Sequence, residues 1–169
     1  MEREKERSRK KVMVVIDESD CSYKALIWVL ENLKESLKQS PLFIFATQPL
    51  INSNFAVSPS LGFIRLTCTL SYTAVLTNQA QERNKEVSMG LLDKAKSICA
   101  NGGVNVKTFT EIGDPKEVIC NAVQEHNIDL LVIGNNSYGI LKRALLGSSL
   151  ADYCLSNAKC PVLVVKKSE

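Results

Sequence analysis

The sequence predicts an α/β fold in which a doubly wound, largely parallel sheet is covered by helices on both faces. Three observations carry this. Short apolar runs at residues 12–16, 42–46, 130–133 and 161–165 have the length of buried strands and lack the polar alternation of a half-exposed sheet. Between them lie stretches with apolar residues at helical spacing, bounded by capping residues, glycine or proline. Strand and helix alternate along the chain, an order that needs crossover connections and sets the strands parallel.

The elements follow in order. Residues 1–10, MEREKERSRK, alternate charges with no apolar face and are expected to be a disordered tail, leaving residues 11–167 as one domain. The β-branched run at 12–16 ends at Asp17 and forms the first strand. Ser19 or Asp20 caps a helix whose apolar positions Ala25, Leu26, Val29, Leu30, Leu33 and Leu37 share one face, and Pro41 closes it. The second strand is 42–46. From about 48 to 72, Pro49, Pro59 and Gly62 break the pattern, and Arg65 is the only charge between positions 48 and 81. An insertion so long and so apolar reads as a lid or binding loop. A second long helix runs from near Ala74 to Ala100 and is stopped by Asn101, Gly102 and Gly103. Residues 104–110 give the third strand. Asp114 as N-cap and Pro115 at the first helical position open the next helix, with Val118, Ile119, Ala122 and Val123 inward and His126 at its end. After the fourth strand, Ser149 and Asp152 have the form of a capping box for a helix ending near Ser156. The last strand starts at Pro161, where a missing N–H is tolerated.

With 169 residues the chain is expected to bury about 70% of its unfolded surface without staples. Its net charge of +3 is carried by the first eleven residues, which hold six basic and three acidic groups, so the remainder is neutral. That argues against a nucleic-acid or membrane footprint. Without an apolar segment of signal-peptide or membrane-span length, a cytoplasmic and also nuclear location is expected. The six cysteines form no C-x-x-C pair and lie mostly in apolar-periodic segments, which reads as buried thiols.

Chemistry concentrates between Leu130 and Ser149. A buried strand ends at Gly134, a glycine-bounded loop follows, and Ser149 opens a helix, so unpaired N–H groups at a positive helix end can hold an anion. Gly134 and Gly139 have the first spacing of the Walker A loop, but Ile140 and Leu141 stand where lysine and serine or threonine are required. The G-x-G-x-x-G fingerprint fails as well, with Asn136 and Ser137 in place. No nucleophile constellation accompanies the loop.

Four pieces in this order, Val14-Val15-Ile16-Asp17-Glu18-Ser19, the turn Gly113-Asp114-Pro115, the loop from Gly134 to Ser148 and the strand Cys160-Pro161-Val162-Leu163-Val164-Val165, resemble the universal stress proteins of the single-domain, plant type. The resemblance implies a five-stranded parallel sheet of order 3-2-1-4-5, of the adenine nucleotide alpha hydrolase-like kind. It implies ATP or AMP, the former with Mg²⁺, at the carboxyl edge of the sheet, and a homodimer paired through Pro161 to Val165. By position it assigns Asp17 to the adenosine end, the backbone of Ala46 and Thr47 to adenine, and Gly134, Ser137, Gly147, Ser148 and Ser149 to phosphate. Lys142 and Arg143 come within reach of the same phosphates. Serine at 137 stands where the family's loop has its second glycine; its Cβ adds strain of about 1–2 kcal/mol if φ must be positive, while its hydroxyl can donate to phosphate. The function implied is a nucleotide-binding module in stress response or signalling. The alternatives are a dimeric scaffold whose pocket Ser137 blocks, and a slow ATPase.

Overall fold

A computed structural model of the chain describes residues 10–50, 70–135 and 149–166, with side chains described from 77 onward in the second segment. The five strands are β1 (Val12–Ile16), β2 (Leu42–Pro49), β3 (Val106–Gly113), β4 (Leu130–Gly134) and β5 (Val162–Val165). They form one parallel sheet in the order β3-β2-β1-β4-β5, as the sequence implied. The described helices are α1 (Asp20–Asn32), the short α2 (Lys34–Leu37), α3 (Leu70–Asn101), α4 (Pro115–Glu125) and α5 (Leu150–Asn157).

Alternation along the strands divides the core into two layers. Val12, Val14 and Ile16 with Leu42, Ile44 and Ala46 face Leu26 and Val29 of α1 and Leu92, Ala95 and Cys99 of α3. Met13 and Val15 with Phe43 and Phe45 face Ile119 and Val123 of α4 and Cys154 of α5. All five residues of β1 are buried, because this strand is central and covered on both sides. The helices change faces between β1 and β4, so the order reverses there and a crevice opens at the carboxyl ends of these strands.

Several boundaries differ from the sequence reading. The first helix breaks at Leu33 (φ −113°, ψ 20°), well before Pro41. The Asn32 side chain turns back to the Trp28 carbonyl at 2.8 Å there, a local bond that competes with continuing the helix. β2 extends three residues beyond the expected end, because Pro49 occupies the last strand position, where no further donor is needed. β3 lies later than expected, at 106–113 rather than 104–110, because Val104 still belongs to the helix end: its N–H bonds to the Cys99 carbonyl. Gly103 takes φ +69° in that cap, the left-handed position that favours glycine. α3 begins at Leu70, four residues earlier than read. The charged tail at 1–9 and insertion residues 51–69 lie outside the described residues, and so does Cys68.

Candidate functional site

At the carboxyl edge, a cleft of about 470 Å³ opens between β1, β2 and β4 on one side and the first turns of α4 and α5 on the other. Val15, Ile133 and Leu150 give it an apolar floor. Its polar rim comes from Asp17, Thr47, Asp114, Lys116, Asn135 and Ser149. This size lies within the range of small-molecule sites.

Asp17 is held by the start of α1. One carboxylate oxygen accepts from the Ser19 amide at 2.9 Å and from the Ser19 hydroxyl. Its backbone N–H donates to the Ser22 hydroxyl at 3.2 Å, and the same hydroxyl donates back to the Asp17 carbonyl at 3.0 Å. Ser22 is buried, so this knot is sheltered from solvent and fixes where strand becomes helix. What Asp17, an exposed residue that lines the cleft, has left for a ligand is its second carboxylate oxygen. The same charge is felt by Tyr23 on α1, whose phenol is held above its ordinary pKa by burial and then by Asp17.

β2 passes the end of β1, which pairs with it only as far as Ala46. Thr47 therefore borders the cleft with an open flank, although its carbonyl already accepts from Ser88 of α3 at 3.2 Å. Ala46 is fully buried in the layer against α1 and α3 and is not among the residues lining the cleft.

Gly134 lines the cleft where the chain leaves the sheet, and its need for glycine is set by packing. A Cβ there would overlap the Cys21 carbonyl and come within 2.7 Å of the Ser22 nitrogen, so only glycine lets β4 approach the first turn of α1. The next amide, Asn135, donates to the Val165 carbonyl at 2.8 Å and extends the β4–β5 ladder.

Ser149 caps α5 in a full capping box. Its hydroxyl accepts from the Asp152 amide at 3.1 Å and donates to the Asp152 carboxylate at 2.7 Å, and its own amide donates to that carboxylate at 3.3 Å. With Ser149 so engaged, the donors left at this helix end are the Leu150 and Ala151 amides, which line the cleft and have no partner among the described residues. Ser137, Gly147 and Ser148, together with Lys142 and Arg143, lie outside the described residues.

Thus Asp17, Thr47, Gly134 and Ser149 are brought to one cleft. The sequence reading missed the contribution of the β3–α4 turn. Asp114 caps α4 by accepting from the Lys116 amide at 2.8 Å, and Asp114, Pro115 and Lys116 all line the cleft. The capping signal was visible, but not that this helix starts beside the same crevice. In a doubly wound sheet every helix that follows a strand starts at the carboxyl edge, which is the signal that could have found it.

Fold and site together define a doubly wound α/β protein with a small-molecule cleft at its topological switch point. The chain belongs to the universal stress protein family, whose sequence profile matches residues 64–166. It is 31% identical over 158 residues to universal stress protein MJ0531 of Methanocaldococcus jannaschii, covering 94% of this chain and 82% of that one. The match to a universal stress protein A-like protein of Arabidopsis thaliana is 32% over 88 residues, about half of each chain (52% and 50%). Among solved structures it is similar to an Arabidopsis thaliana family protein with AMP bound (TM-score 0.64, 22% identity, 94% and 92% coverage). A universal stress protein in complex with cAMP (TM-score 0.65, 20%, 95% and 99%) and one from Archaeoglobus fulgidus with dAMP (0.57, 17%, 93% and 98%) share the fold too. Among the described residues no helix is long and apolar enough to cross a membrane.

Proposed function

We propose that this chain is an adenine-nucleotide-binding module, taking ATP or AMP in the carboxyl-edge cleft and acting in stress response or signalling as a cytoplasmic homodimer. The observation that carries the reading is the chemistry of the cleft. An apolar floor of Val15, Ile133 and Leu150 suits a planar base, while the Leu150 and Ala151 amides at a positive helix end, without a partner among the described residues, suit phosphate. The second carboxylate oxygen of Asp17 suits a ribose hydroxyl. Structures of the same fold hold AMP, cAMP and dAMP, which supports the same ligand class here.

The dimer is proposed through β5. Among the described residues this strand pairs only with β4 and its other edge is open, and all four of its residues are half-buried in a single chain.

Titration of nucleotide-stripped protein with ATP and AMP by calorimetry tests the binding. Saturable heat at sub-millimolar ligand is expected for at least one of them. No heat and no displacement of a labelled nucleotide up to millimolar concentration would overturn the reading.

A further inference from the structure

Lys116 is the one cation lining the cleft among the described residues, and the reading above makes no use of it. Its place is set locally. Pro115 starts α4 and the Asp114 carboxylate holds the Lys116 amide at 2.8 Å, so the side chain leaves the first turn at the rim of the cleft. The chain then reaches toward α5, where Nζ lies 5.7 Å from the centroid of the Tyr153 ring, within cation–π range. Tyr153 does not itself line the cleft, so the ammonium rests on α5 at the rim and would turn from that ring to meet a group held at the Leu150 and Ala151 amides, which have no partner among the described residues.

Lys116 as a residue is half-buried, and no carboxylate lies within ion-pair distance of its ammonium among the described residues. Two carboxylates do share the cleft. Asp114 is committed to the α4 cap through one oxygen, and Asp17, at the end of β1, is bound to Ser19. Both acids of the cleft already accept hydrogen bonds within their own turns, and Asp152 does the same at the start of α5. Lys116 is the cation left for an anionic group that enters between α4 and α5, where a charge-assisted bond to it is available.

We propose that Lys116 reads the phosphate group of the bound nucleotide, and so separates ATP and AMP from adenosine. The inference rests on the nucleotide reading of the cleft, with phosphate at the start of α5 as the family resemblance implies, and adds to it one residue.

The test uses the full chain, stripped of nucleotide, as wild type, Lys116→Met and Lys116→Arg, each titrated with ATP, AMP and adenosine at low and high salt. Lys116→Met is expected to weaken ATP about tenfold, equivalent to about 1.4 kcal/mol, and AMP by less. Adenosine should stay within about twofold, because the contact it lacks is the one removed. Lys116→Arg should keep ATP within about threefold, and the salt dependence of ATP binding should flatten in the Met variant alone. Wild type that binds ATP beside a Met variant that binds it equally well overturns the inference and leaves the nucleotide reading intact. Parallel loss of ATP and adenosine in the Met variant assigns Lys116 a structural role and overturns it too. Wild type that binds none of the three ligands overturns the nucleotide reading and the inference with it.

Discussion

At Gly134 the end of β4 passes so close to the first turn of α1 that a methyl group meets backbone, the carbonyl of Cys21 and the amide of Ser22, neither of which can swing away as a side-chain tip could. Gly134→Ala is therefore expected to lower the stability of the ligand-free protein by about 1–3 kcal/mol, the usual cost of overpacking. Urea denaturation without nucleotide measures it. If Gly134 served phosphate alone, that midpoint would not move and only affinity would fall. The residue shows what the sequence made legible. A glycine ending an apolar run marked a position where a side chain is not tolerated, but the neighbour that forbids it is more than one hundred positions away. Asp17 and Ser149 show the same limit. Their residue types marked them as partners for N–H groups: Ser149 caps α5, giving its hydroxyl and amide to Asp152, whereas Asp17 holds Ser19, the residue that caps α1. Lys116 had no signal of its own, since a lysine in the first turn of a helix is ordinary until the fold places it at a cleft.

The elements were legible wherever a buried run met a clear cap. β1, β4, α4 and α5 stand where periodicity and capping put them, because five consecutive apolar residues or an Asp-Pro start leave few alternatives. β2 and β3 were misjudged at their ends, because Thr47, Gln48 and Glu111 are polar yet stay in the sheet by pairing with one another's strands past the end of β1. β5 carries a prediction of its own. Pro161 and Val165 turn their carbonyls toward β4, accepting from Leu131 and Asn135, so by the alternation of a strand the N–H and C=O groups of Val162 and Val164 point to the open edge. A dimer joined along β5 needs those groups. Val164→Pro removes one outward donor without touching the β4 ladder, and edge strands accept proline. The expected outcome is a monomer that keeps its circular dichroism, with molar mass by light scattering half that of the wild type. A proline variant that remains dimeric would place the interface elsewhere.

Across the whole molecule, the two layers that clamp the sheet each hold a fully buried thiol, Cys99 of α3 in the layer with α1, and Cys154 of α5 in the layer with α4. The sequence reading of cysteines as small core residues holds for this pair, and their burial couples the fold to alkaline pH. Desolvation pushes Cys99 up to about 11. It pushes Cys154 up to about 12, with the neighbouring Cys120 thiol raising it further. In the unfolded chain a thiol ionises near its model value of 9.0. A group whose folded pKa is raised contributes its full stability below the unfolded value and loses it as pH rises toward the folded one. From pH 9 upward the unfolded state sheds protons that the native state retains, and stability falls with a slope set by the number of such thiols. At pH 10 the loss is on the order of 1 kcal/mol for each of the two. Tyr23, raised by burial and by Asp17, adds in the same direction at still higher pH. Denaturant titrations at pH 7, 9 and 10 should show a stable plateau followed by a decline. Cys99→Ala, whatever its cost at neutral pH, should make that decline shallower, because its contribution is removed while those of Cys154, Cys120 and Cys160 remain. A wild-type midpoint constant to pH 10 would mean that water or structural relaxation reaches these thiols, and that the two layers are less tightly closed over the sheet than their packing indicates.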